Sequence, residues 1–205
     1  MTKNNNLLFA LKYRPKSFKE LFGQEVMVET ISNSISSGKI PNAYLLTGIR
    51  GVGKTTTARI IAKALNCSKG FKEGEICKEG EHCHHCKEIS QSNHIDVLEM
   101  DAASKTGIDD IRELIDSSKY KPNSAKFKIF IIDEVHMLSK QAFNGLLKTL
   151  EEPPPYLRFI FATTEVNKIP LTVISRCQRF DLKRVSLDLI EKNLIEISLK
   201  EGRKI

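Results

Sequence analysis

Apolar residues recur along this chain in two alternating rhythms. Short, nearly continuous apolar runs read as buried strands: Ala43 to Thr47, Ile95 to Met100, Phe127 to Ile132, Arg158 to Thr163, and a shorter one from Gln178 to Leu182. Between them, apolar residues fall three and four apart, the period of a helix with one buried face. Val28, Ile31 and Ile35 form such a stripe, with Gly38 as its stop. Ala58, Ile61, Ala62 and Leu65 form the next, then Ile108, Ile111, Leu114 and Ile115. Ala142, Phe143, Leu146, Leu147 and Leu150 follow, ended by Pro153-Pro154-Pro155. Strands alternating with helices predict an α/β fold with a parallel, doubly wound sheet. A last amphipathic stripe, Leu187, Ile190, Leu194 and Ile197, begins after Ser186. It either caps this domain or opens a second one. The expected division is therefore a core over residues 1–182 and the beginning of a helical domain over 183–205.

Composition changes this picture little. With 205 residues, 40% hydrophobic and 28% charged, the chain has the usage of a soluble globular protein with one substantial core. No window approaches the roughly 18 apolar residues of a membrane helix. The run Leu7 to Leu11 is too short for a signal-peptide core, so a cytoplasmic location is expected. The net charge of +7 is spread over scattered lysines. That suits a solvated basic surface as well as a nucleic-acid partner.

One loop carries specific chemistry. Gly48-Ile49-Arg50-Gly51-Val52-Gly53-Lys54-Thr55 fits G-x-x-x-x-G-K-[ST] between a predicted strand and a predicted helix. Glycines let successive N–H groups converge on phosphate oxygens, and the following helix adds its positive end. Lys54 would sit against the β- and γ-phosphates of a nucleotide, and Thr55 would offer its hydroxyl to magnesium.

The most apolar strand ends in Asp133-Glu134. Ligands of parallel sheets bind beyond the carboxyl ends of strands, where the glycine loop also lies. Asp133 is thus a magnesium ligand candidate, and Glu134 a general base for an attacking water. Thr163-Thr164 closes the next strand; its hydroxyls would reach the γ-phosphate or that water, or simply reflect strand propensity. His136 receives no role. Arg176, in Ser175-Arg176-Cys177, is either a surface residue or an arginine offered to a neighbouring subunit's phosphoryl group.

Cys67, Cys77, Cys83 and Cys86 lie in a segment rich in glycine and charge, without hydrophobic periodicity. Reduced thiols at this density predict a structural zinc, with His82, His84 and His85 as possible substitute ligands. Cys177 stands apart in sequence.

Taken in order, these segments resemble the gamma/tau family of bacterial DNA polymerase III, the ATPase of the replication clamp loader. The likeness runs through Tyr13-Arg14-Pro15, Phe18, Gly23-Gln24, the glycine loop, Asp133-Glu134-Val135-His136, Leu147-Lys148-Thr149-Leu150-Glu151-Glu152-Pro153-Pro154, Thr164 and Ser175-Arg176-Cys177. It implies a P-loop AAA+ core with a five-stranded parallel sheet, a zinc-binding insertion near residues 67–86, and the start of a helical lid that family members continue. It further implies that Tyr13, Arg14 and Pro15 hold the nucleotide's base, that Thr164 is an ATP sensor, and that Arg176 acts in trans. Its cofactors would be ATP, magnesium and structural zinc. Its partners would be other clamp-loader subunits, the sliding clamp and primer–template DNA, with no membrane and no polymerase active site in this chain. The family usually spaces its last three cysteines C-x2-C-x2-C, whereas here five residues lie between Cys77 and Cys83, so Cys77 is the least fixed of the four. Lys54, Thr55, Asp133 and Glu134 are all present, which argues against an ATP-inert structural subunit. The cysteine insertion and Ser175-Arg176-Cys177 argue against a different AAA+ remodeller.

Overall fold

The computed structural model describes residues 9–71, 76–77, 82–104 and 107–203. Five parallel strands form a single sheet: β1 (Ala43–Thr47), β2 (Val97–Asp101), β3 (Lys128–Asp133), β4 (Leu157–Thr163) and β5 (Gln178–Asp181). Their spatial order is β2-β3-β4-β1-β5. All five residues of β1 and all seven of β4 are buried, so the central strands are covered on both faces. Alternation divides β1, β3 and β4 between two cores. Tyr44, Leu46, Ile129, Ile131, Ile160 and Ala162 face α2 (Glu25–Ser36), α3 (Lys54–Asn66) and α4 (His84–Ser90). Ala43, Leu45, Phe130, Ile132, Phe159 and Phe161 face α5 (Ile108–Ser118) and α6 (Lys140–Glu151). Two short helices, α1 (Phe9–Lys12) and α7 (Leu171–Ile174), and the long α8 (Leu187–Lys200) complete the described elements.

Four strands match the sequence expectation to within one residue at each end. The exception is β2, which starts at Val97 rather than Ile95. Ile95 is 63% exposed, and its neighbour Asp96 turns inward. The buried Asp96 carboxylate accepts hydrogen bonds from the backbone N–H groups of Asn123 (2.6 Å), Ser124 (2.8 Å) and Ala125 (2.9 Å), and from the Ser124 hydroxyl. A second buried clamp lies beside it. The Asn66 side-chain amide donates to the Phe127 carbonyl and accepts from the Phe127 N–H, both at 2.9 Å. Together they fix the chain entering β3, the strand that ends in Asp133. The apolar stripe of α8 is real, yet none of its residues is buried, and Leu187 is 82% exposed.

Burial alone would raise the Asp96 pKa; the three N–H groups and the Ser124 hydroxyl overcome that and hold it below its ordinary value. Its contribution to stability is therefore complete above the unfolded-state value of about 4 and is lost as pH falls through the lower folded-state value. Asp96→Ala should destabilise the fold by about 2 kcal/mol at neutral pH. In urea denaturation the gap from the parent should close only under acid conditions.

Candidate nucleotide and metal sites

The glycine loop joins β1 to α3 and is shaped by three left-handed glycines, Gly48 (φ 149°), Gly51 (φ 83°) and Gly53 (φ 100°). At Gly48 space is also decisive. A Cβ there would meet Val52 Cγ1 at 3.0 Å and the Leu182 carbonyl oxygen at 3.1 Å. Gly53 immediately precedes α3, so the first N–H groups of that helix are among those without an intrahelical acceptor. Lys54 is only 6% exposed, and its ammonium donates to the loop's own Gly48 (3.0 Å) and Ile49 (3.2 Å) carbonyls. A cation thus lies inside a ring of backbone dipoles at a helix N-terminus, an arrangement suited to a phosphate chain.

The acidic pair meets this loop from β3. The Thr55 hydroxyl donates to Asp133 Oδ2, a contact that spans the end of the intervening strand β4. Asp133 Oδ1 accepts the Glu134 N–H at 2.9 Å. Glu134 itself is left-handed (φ 46°, ψ 43°), a conformation a non-glycine residue adopts at a cost of about 1–3 kcal/mol. The turn aims its carboxylate at the end of β4, where Oε2 accepts from the Thr164 N–H (3.3 Å) and hydroxyl (3.2 Å). The two threonines are thereby separated in role. Thr163 is fully buried and shares a 3.0 Å hydrogen bond with His136 Nδ1. His136, with a side chain 6% exposed, also lies 3.5 Å from Glu134 and 3.4 Å from Glu165. Sequence reasoning gave His136 no place, although its spacing two residues beyond Glu134 was the available signal.

A cleft of about 400 Å³ opens beside the loop. Tyr13, Arg14 and Pro15 line it together with Gly51, Val52, Gly53 and Thr56 on one side and Leu189 and Asn193 of α8 on the other. Arg14 Nε donates to Thr56 Oγ1 at 3.1 Å, and the Tyr13 hydroxyl donates to Glu201. The buried Gln24 amide pairs with both the N–H and the carbonyl of Lys183, tying the entry segment to the chain that leads into α8. Arg176 lies elsewhere. Its guanidinium donates to the Thr172 carbonyl (2.5 Å) and pairs with Glu151 (2.6 Å), and it does not line the cleft.

The cysteine sulfurs of Cys67, Cys77, Cys83 and Cys86 all lie within 4.8 Å of one another. Cys67 ends α3, Cys83 precedes α4, and Cys86 is buried in its first turn. The Cys67 and Cys77 sulfurs are 3.2 Å apart, and the Cys83 N–H points at Cys77 Sγ at 3.4 Å. Cys77 thus joins the other three despite its irregular spacing. His85 is engaged by His94 at 2.8 Å and His84 faces Glu88 at 3.2 Å, so neither stands among the sulfurs. Burial pushes the Cys86 and Cys67 thiols up. At Cys83 burial acts the same way, but the Ser68 hydroxyl and the Cys86 backbone outweigh it and lower its pKa to about 6. Four soft donors this close fit a tetrahedral thiolate site for zinc. Cys177 is remote from them, and burial raises its pKa to about 12.

Known proteins resemble this chain in sequence and in fold. The family model described as "DNA polymerase III, delta subunit" matches residues 23–186. The gamma/tau subunit of Mycoplasma genitalium DNA polymerase III is 50% identical over 97% of this chain and 32% of its own length. The gamma subunit of Buchnera aphidicola from Acyrthosiphon pisum is 48% identical over 97% of this chain and 54% of its own. The chain spans between 28% and 54% of the length of such curated relatives. Among solved structures, the Thermotoga maritima RuvB Holliday junction branch migration motor superposes with a TM-score of 0.64, at 20% identity, over 93% of this chain and 55% of that one. A gamma subunit-related protein of the same organism gives 0.51, at 23% identity, over 88% and 54%. These two likenesses establish the AAA+ fold. The match to the family model, covering well over half of the sequence, shows that this chain belongs to the DNA polymerase III subunit family, in which the relatives it resembles are gamma and tau subunits.

Proposed function

We propose that this chain is an ATPase module that drives loading of a sliding clamp onto primed DNA, working in the cytoplasm within a multi-subunit DNA polymerase III assembly. The observation that carries this reading is the meeting of Thr55 with Asp133 beside the buried Lys54, with Glu134 held next to them. The loop amides and Lys54 bind the β- and γ-phosphates, and the cleft formed by Tyr13, Arg14, Pro15 and α8 holds the nucleoside. Thr55 and Asp133 supply hard oxygen ligands for magnesium, which when bound neutralises charge on the phosphates.

Glu134 accepts a proton from a water molecule as the water oxygen attacks the γ-phosphorus. The bond to the bridging oxygen breaks, giving ADP and phosphate. In the present arrangement Glu134 is engaged by Thr164, so Thr164 both orients the base and withholds it. Arg176 is exposed, as a residue offered to a neighbouring subunit's nucleotide must be, and would exchange its present partners Glu151 and Thr172 for that phosphate. The chain's likeness to gamma and tau subunits of DNA polymerase III supports membership of such an assembly. In that assembly the chain contacts the sliding clamp and primer–template DNA.

Lys54→Ala should weaken ATP binding at least tenfold, measured by calorimetry. Glu134→Gln should leave binding intact and lower hydrolysis more than a hundredfold, because only the proton acceptor is lost. A Glu134→Gln chain that hydrolyses at the parental rate would remove Glu134 from the mechanism.

In an assembled complex, Arg176→Ala should reduce turnover by about 10³-fold with little change in ATP affinity. Equal turnover per chain in dilute solution and in the assembly would refute the trans role.

The zinc assignment has its own measurement. Elemental analysis should find close to one zinc per chain, and Cys86→Ser should lose it together with several degrees of thermal stability.

A further inference from the structure

Lys63 occupies an unusual position for a lysine. It lies in α3 with only 3% of its surface exposed. It precedes Cys67 by four residues, so the two share one face of the helix end. That face packs on α4, where Cys86 is buried in the same apolar cluster as Ile60 and Ala64. Its ammonium donates to the Lys16 carbonyl at 2.5 Å. A carbonyl is a dipole and does not balance a buried charge.

Its surroundings supply little else. The adjoining cleft of about 270 Å³ is lined by Arg14, Arg59 and Lys87, with no Asp or Glu among its described lining residues. Arg59 is already matched by Glu99 through two hydrogen bonds, of 2.8 and 2.6 Å. Glu20 acts on Lys63 as a nearby negative charge, its carboxylate held by the Lys16 N–H and the Ser17 hydroxyl, both at 2.8 Å. Burial lowers the Lys63 pKa, so its charged form needs negative charge nearby. Four thiolates around one divalent ion keep roughly two negative charges in excess. A filled cysteine site would therefore add a counter-charge to the one that Glu20 supplies.

The Lys16 carbonyl gives this pairing a reach beyond the metal. Lys16 directly follows Tyr13-Arg14-Pro15, the segment that lines the nucleotide cleft. That segment is attached to α3 at two points: Arg14 to Thr56 in the first turn, and Lys16 to Lys63 two turns later. We propose that Lys63 is a positioning residue that balances the charge of the metal-filled cysteine site and, through the Lys16 carbonyl, couples metal occupancy to nucleotide affinity. This inference rests on the ATPase and zinc readings above.

The test uses the full chain, zinc-loaded or stripped with a chelator under reducing conditions, titrated with a non-hydrolysable ATP analogue. Removing zinc from the parent should weaken analogue binding about tenfold and speed hydrogen exchange at the Arg14 and Lys16 amides. Lys63→Met should weaken zinc binding by at least tenfold in chelator competition, in the range set by residues behind metal ligands. It should also shift the thiolate-to-metal absorption of the cobalt-substituted chain. Its analogue affinity should equal that of the stripped parent whether or not zinc is present. Lys63→Arg, which keeps the charge, should restore both properties. Parental zinc affinity in Lys63→Met would overturn the counter-charge, and an analogue affinity indifferent to zinc in the parent would overturn the coupling. The parent measurements require no variant, so they decide the coupling even where Lys63→Met fails to fold. A parent that binds zinc but no analogue would instead overturn the ATPase reading, and with it the coupling.

Discussion

The Thr55–Asp133 contact depends on strands whose ends are level. β1 and β3 are not neighbours; β4 lies between them, placing their axes about 10 Å apart. The loop after β1 must fold over the end of β4 to bring Thr55 to Asp133, and it does so only because the strands end together. Thr47 pairs with Thr163 across β1 and β4, and Ile132 with Phe161 across β4 and β3. Apolar packing enforces this register. A one-residue slip of β3 would exchange the Ile129 and Ile131 face for the Phe130 and Ile132 face, against two cores of different shape. The position of a polar contact is thus set by residues that never touch a phosphate.

Much of this arrangement was legible in the sequence because it rests on local rules. β3 is recognisable from an apolar run too long for a half-exposed strand, and the loop from glycines at fixed spacing. What escaped depends on distant partners. Ile95 looks like the start of β2, but the adjacent Asp96 is captured by the backbone of residues 123–125. Thr163 and Thr164 look equivalent in a string of letters. Successive residues at a strand end point opposite ways, so one meets His136 and the other Glu134. The spacing of His136 puts it near Glu134, but its partner Thr163 shows only once β4 is known to end beside it. The irregular spacing of Cys77 carried no geometric information, because two helix ends, not local spacing, bring the sulfurs together. The amphipathic pattern of α8 could be read from sequence, but what covers Leu187, Leu194 and Leu199 could not.

Helix α3 is the element on which both sites depend. Eleven of its residues are buried, including polar Thr57 and Asn66 and the charged Lys54 and Lys63. Its first turn carries the proposed phosphate-binding end and its last leads into the cysteines. A helix so enclosed moves as a rigid rod, and displacement at one end is felt at the other. The entry segment, held to it through Arg14 and Lys16, follows the same rod.

The left-handed backbone at Glu134 has an evolutionary corollary. Glycine tolerates that conformation without a Cβ penalty, so Glu134→Gly would relieve local strain, by up to about 1 kcal/mol once its greater unfolded-state freedom is included. The same change would remove the proposed base. Selection for robustness and selection for turnover therefore pull in opposite directions at this one codon, and a lineage that no longer needed hydrolysis would have a thermodynamic incentive to abandon the acid there.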